Sequence, residues 1–407
     1  MLDRIVRGDI PAKPHTFFRS AAGELRYEEC LTRGGFEGPF SILYHQHRPH
    51  EGRAVEAPYR FGTPDAGARI PQMGVGTSVA PAVTGQPLRR RHYRCLQLTA
   101  DHREGGGGPP LASRVPLLFN DQVVIGFCQP SVEDPVYFAN SDADDLYFIL
   151  RGAGLLRSVF GDLRYQQGDY LCVPKGTVHR LVPDAGVPQG WMSMECKGGL
   201  ALPSHYRNAV GQLRMDAPYS HRDFRRPVLA GPVDERLRTV VVKRGDEFFG
   251  FEFAHAPLDV VGWDGTVYPF AFPILAFQPR VGQIHLPPPV HATFEAGGAL
   301  ICSFVPRPLD FHQQANPCPY PHASVDIDEV LFYANDAFGS RHGVGEGSIS
   351  LHPAGIPHGP HPGAYETHSG KTNTDEIAVM LDCSAPLRPT VLASAVEDRG
   401  YHDSFIG

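Results

Sequence analysis

The sequence predicts an all-β protein of two jelly-roll barrels, the second of which carries a metal site. Three observations point that way. The chain has 407 residues, with 44 Gly, 39 Pro and only 20% charged side chains, so turns are frequent and long helical patterns scarce. A duplicated pattern of strands and turns runs through it, and a length of this order suits two domains better than one. A histidine and carboxylate cluster stands in the second copy only.

The repeat sets the element order. The first copy reads DADDLYFILRGAG from Asp142, then a glycine turn and a strand leading to Pro174, Gly176 and His179. The second reads DIDEVLFYANDAF from Asp326, then the same succession to Pro353, Gly355 and His358. In each, an acidic pair precedes an alternating apolar strand, and a Pro-x-Gly-x-x-His loop closes the unit. Tyr147-Phe148-Ile149-Leu150, Tyr170-Leu171-Cys172-Val173, Val330-Leu331-Phe332-Tyr333 and Ile377-Ala378-Val379-Met380-Leu381 are strands of this pattern. Closing such strands on themselves hides their edges and encloses an interior, which makes the fold a bicupin. The expected domains are 1–200, metal-free and structural, and 201–407, carrying the site. Lys197 to Arg226 is expected to connect them.

Composition excludes several classes of function. The net charge of −7 offers no general attraction to nucleic acid or to an acidic membrane surface. Arg89-Arg90-Arg91-His92 reads as a solvated loop or a subunit contact, and Glu104 to Pro110 as a flexible surface loop. The eight cysteines include no CxxC pair, so they read as reduced, mostly buried thiols. The N-terminal stretch has no apolar signal-like region, and no run approaches the ~20 apolar residues of a membrane span. The expectation is a soluble, cytoplasmic protein.

The run SLHPAGIPHGPHPGAY from Ser350 carries the most chemistry. Its four prolines forbid a helix, so His352, His358 and His361 lie on a strand end and a tight loop. Upstream, His322 is followed by Asp328 and Glu329. Two histidines and one carboxylate brought together by a β-barrel form a facial metal site with open positions. Aligned on the acidic pair, His322 falls opposite Phe138, so the first copy keeps only Asp145 and His179 and lacks a ligand.

These residues resemble the homogentisate 1,2-dioxygenase family. The resemblance rests on His322 with Glu329, on Ser350-Leu351-His352, and on Pro357-His358-Gly359-Pro360 with its six-residue step from His352. Val260-Val261-Gly262-Trp263-Asp264-Gly265 with Tyr268-Pro269, and Gly35-Phe36, Gly38-Pro39 and Tyr44-His45, match further blocks in order. It implies a mononuclear Fe(II) held by His322, Glu329 and His358. It also implies that His285 acts as the base for a phenolic proton and that His352 orients a ligand or touches substrate. The implied reaction is homogentisate plus O₂ giving maleylacetoacetate, in tyrosine and phenylalanine breakdown, by a homo-oligomer. The chain departs from the family in three places. The His322 to Glu329 spacing is one residue longer, which leaves Asp328 as the alternative ligand. Phe338 stands where the family has a tyrosine, and the stretch from His285 to His322 is shorter. Another hydroxylated aromatic acid, such as gentisate, is the alternative substrate.

A metal-dependent sugar-phosphate isomerase would add a second His or Gln beside His322, but Tyr320 and Ser324 stand there. A storage bicupin would have lost the ligands in both copies. Of the other residues, His361 reads as a solvated loop residue, His312, His342 and His368 as exposed polar residues, and Trp263 and Tyr268 as core or interface aromatics.

Overall fold

The computed structural model describes residues 2–14, 17–59, 83–98, 107–229, 237–245 and 247–406. Among them the α-helices are two short ones, Pro110–Ser113 and Ala364–His368, and the rest of the regular structure is mainly strand. The alternation read in the sequence explains this. In Asp328–Tyr333, Glu329 and Leu331 line a cavity while Phe332, next along the strand, packs the opposite way against Phe148 and Phe127.

The first barrel has two seven-stranded sheets. One is ordered 270–273, 169–173, 144–151, 190–196, 123–128, 114–119, 388–389; the other is 161–166, 153–158, 179–183, 137–140, 240–244, 247–252, 53–58. The second barrel is built on a third seven-stranded sheet, ordered 200–201, 292–296, 299–304, 378–383, 328–333, 348–352, 91–94. Its open side is closed by the short pair 307–308 with 373–374 and by a bridge between His322 and His358. A five-stranded N-terminal sheet takes in Val260–Gly265. Strands therefore cross the expected divide near residue 200 in both directions: 270–273 and 388–389 join the first barrel, and Arg91–Arg94 joins the second.

The first barrel's 270–389 sheet is shared between two cores. On one face Trp191 meets Tyr147 and Tyr165 inside the barrel. On the other, Phe148 meets Phe332, and the Tyr170 hydroxyl shares a hydrogen bond of 2.8 Å with Ser303 across the layers. A buried hydroxyl left without that partner would cost about 1–3 kcal/mol.

The Arg89–His92 cluster is no solvated loop. Arg91 and His92 are buried in a strand paired with Ser348–Leu351, and Arg91 is neutralised by Glu397 at 2.6 Å. The Glu104–Gly106 part of the glycine run lies outside the described residues. Seven cysteines are buried as expected and Cys30 is exposed. Trp263 and Tyr268 are core residues.

Candidate metal centre

The acidic pair and the proline-glycine loop work together. Asp328 faces away from the barrel interior and accepts hydrogen bonds from the backbone N–H groups of Ala354 (2.8 Å) and Leu387 (2.7 Å), which clamps the loop. Its neighbour Glu329 points the opposite way, so the choice between them falls on Glu329. Gly355 then turns the chain at φ 80°, a conformation that costs other residues strain. The turn lays His358 beside His322, with both backbone N–H···O bonds at 2.8 Å.

Three side chains converge. Glu329 Oε2 lies 3.7 Å from His322 Nε2, and Glu329 Oε1 lies 3.5 Å from His358 Nε2. The ligand atoms of this trio lie within 4.8 Å of one another. Metal bonds of ~2.1 Å put neighbouring ligand atoms ~3 Å apart, so a small contraction completes a site. Each histidine directs its Nδ1 at a backbone carbonyl two residues earlier, Tyr320 at 3.3 Å and Ile356 at 3.1 Å. That bond fixes the tautomer with an Nε2 lone pair inward. His358 Nε2 is buried without a hydrogen-bond partner, as His179 Nε2 is in the first barrel, but only His358 has a second imidazole and a carboxylate converging on it. The residues fit a divalent ion.

His352 does not line the cavity. Its Nδ1 sits 2.7 Å from Glu329 Oε1 and its Nε2 3.1 Å from the Tyr401 hydroxyl, with its ring stacked on His358 at 4.6 Å. Burial pushes its pKa down to about 3, so it is a neutral strut. Burial raises the Glu329 pKa, but the imidazoles of His322, His352 and His358 around its oxygens more than offset this and hold it well below the usual carboxylate range. His361, expected to be solvated, is buried, bonded to Ser404 Oγ at 2.8 Å and stacked on Phe405 at 4.0 Å. His368, expected to be exposed, is buried and lines the cavity.

His285 lines the same cavity, of about 150 Å³, with His322 and Glu329. Its Nδ1 lies 3.6 Å from Asp310 and its ring stands edge-on to Tyr320 at 5.1 Å. Burial lowers its pKa, so it is neutral near pH 7. Leu331, Phe338 and Met380 give the cavity apolar walls.

The first barrel repeats the scaffold with other contents. Gly176 turns at φ 81°, Asp144 binds the N–H of Lys175 at 2.7 Å, and His179 Nδ1 bonds the Thr177 carbonyl at 2.9 Å. His179 pairs in register with Phe138, as the alignment of the copies predicted. Beside Asp145 lies the guanidinium of Arg114 (3.5 Å), and Lys243 Nζ pairs with Glu195 at 2.7 Å. Side-chain cations thus neutralise the carboxylates here.

Among the described residues one more group, His47, His255 and Asp259, has ligand atoms within 4.8 Å. Its two imidazoles are stacked 4.1 Å apart and 13° from parallel, so in-plane lone pairs from both cannot meet at one ion. Sequence reasoning missed Tyr401, Asp310 and Arg341, which join the site from segments with no motif of their own.

A family model described as homogentisate 1,2-dioxygenase N-terminal matches residues 122–274. A relative from Saccharolobus solfataricus, provisionally named a dioxygenase, is 33% identical over 97% of this chain and 97% of its own. Homogentisate 1,2-dioxygenases from Nitrobacter hamburgensis and Bradyrhizobium diazoefficiens are 26% and 25% identical over 67% and 63% of this chain. The match spans 63% and 59% of their lengths. Among solved structures, a cupin 2 conserved barrel domain protein from Leptotrichia buccalis aligns with a TM-score of 0.29 and 10% identity, over 67% of this chain and 88% of that one. Related over nearly its whole length to the first of these proteins, the chain belongs to the homogentisate 1,2-dioxygenase family.

Proposed function

We propose that this chain, a ring-cleaving dioxygenase by family, binds one Fe(II) through His322, Glu329 and His358 and cleaves homogentisate with O₂ to maleylacetoacetate. The observation that carries the metal assignment is the convergence of His322, Glu329 and His358, whose ligand atoms lie within 4.8 Å of one another. An Fe(II) held by these three residues would leave positions open for a hydroxylated arene and O₂ and would relay the substrate's electrons to O₂. The protein's own residues do the rest. His285, kept neutral by burial and held by Asp310, takes the phenolic proton as substrate binds. Apolar walls of Leu331, Phe338 and Met380 exclude water around the ring, and a cavity of about 150 Å³ is of the size that holds one benzene ring. His352, braced by Tyr401, fixes Glu329.

On this reading residues 1–200 form the core of a structural, metal-free unit and 201–407 the catalytic one. The test is iron content and oxygen uptake of variants. His322→Ala and His358→Ala should lose both, while Asp145→Asn and His179→Gln should keep wild-type iron. Iron retained at full occupancy in the first pair would refute the ligand assignment.

A further inference from the structure

Three arginines line the cavity, and they differ in what they are tied to. Arg280 lies at an exposed rim and bonds the Asp216 backbone carbonyl. Arg307 Nη2 is paired with Glu376 at 2.5 Å. Arg341 pairs with no carboxylate among the described residues, and its Nε is buried without a hydrogen-bond partner. Its neighbours are the hydroxyls of Tyr333 and Tyr401, more distantly Glu329, and the Phe405 ring 5.8 Å from the guanidinium carbon. A guanidinium cannot shed its proton, so a half-buried one whose Nε is buried and unpartnered is open to an anion. Burial pushes its pKa down, but Tyr401, Tyr333 and Glu329 together hold it above the ordinary arginine value.

The position matters as much as the charge. Arg341 follows Asp328–Tyr333, the strand that carries Glu329, and both residues line one cavity. We propose that Arg341 is the anchor for a carboxylate on the aromatic substrate, so that the cavity selects hydroxylated arenes bearing an acidic side chain. This rests on the ring-cleavage reading and names the group that reads the substrate's acid. A guanidinium fork suits a carboxylate, and of the three in these walls Arg280 and Arg307 are already tied to Asp216 and Glu376. Phe338 beside it has no donor and leaves this task to the arginine.

The test is binding, measured separately from turnover. Anaerobic calorimetry on the full chain, metal-free and Fe(II)-loaded, would compare 2,5-dihydroxyphenylacetate with its uncharged amide. Wild type should prefer the acid about 10- to 100-fold, the span of a charge-assisted hydrogen bond. Arg341→Gln should abolish the preference by weakening acid binding while leaving amide binding unchanged, and Arg341→Lys should restore part of it. Equal affinity of wild type for acid and amide, no binding of either, or an equal loss of both in Arg341→Gln would overturn the proposal. Iron content and oxygen uptake on the same samples report on the ring-cleavage reading independently, because an acid preference does not require turnover.

Discussion

At the scale of single residues, the centre depends on which atom each histidine leaves free. His322 and His358 spend Nδ1 on backbone carbonyls and present Nε2, whereas His352 spends both nitrogens, on Glu329 and Tyr401. Tyr401→Phe should therefore keep the fold but weaken iron binding about 10- to 100-fold, read by competition with a chelator. His285 gives a pH prediction. Its pKa is lowered by burial, so the free base persists below the ordinary histidine value of about 6.5, and kcat/KM should fall only as acid protonates it below that pH. His285→Gln should remove that acid limb with iron retained, as a pH–rate profile would reveal. The three converging residues were legible because an acidic pair and a proline-glycine loop each leave a local signature. Tyr401 and Arg341 were not, since their roles arise from packing between distant segments.

At the scale of elements, the loop after Ser348–His352 is the part that most needs its sequence. A Cβ at Gly359 would sit 2.7 Å from Pro321 Cα, and neither backbone can yield without parting His322 from His358. Gly359→Ala should lower iron occupancy more than it lowers Tm. Gly355→Ala, whose Cβ meets open space, should cost about 1–2 kcal/mol from its positive φ alone, measured by denaturant unfolding. The duplication was readable because Gly176 and Gly355, and Asp144 and Asp328, hold the same geometry in both barrels. The exchange of strands was hidden. Arg91–Arg94 looks like a basic surface run until Glu397 and the edge of the second barrel bury it.

At the scale of the whole molecule, the shared sheet and crossing strands make one cooperative body of two barrels. Phe332→Ala, which empties the seam against Phe148 and Phe127, should cost about 3–5 kcal/mol and lower a single thermal transition. Acid should act on the same body. Burial depresses His179 to about 4 and His291 to about 3, both below their unfolded value of about 6.5. Unfolded chains then bind more protons, so stability falls as pH drops below 6.5, at a slope on the order of 1 kcal/mol per pH unit per group. His45 runs the other way. Burial opposes its protonation, but Asp259 and Glu29 raise it to about 9, and its contribution is lost as pH rises through that value. One measurement reaches the second barrel's chemistry directly: oxygen uptake by protein loaded anaerobically with Fe(II), given homogentisate or gentisate, with iron per chain counted. One iron per chain, and uptake with homogentisate that vanishes in His358→Ala, is the predicted result. No bound iron, or undiminished uptake in that variant, would contradict it.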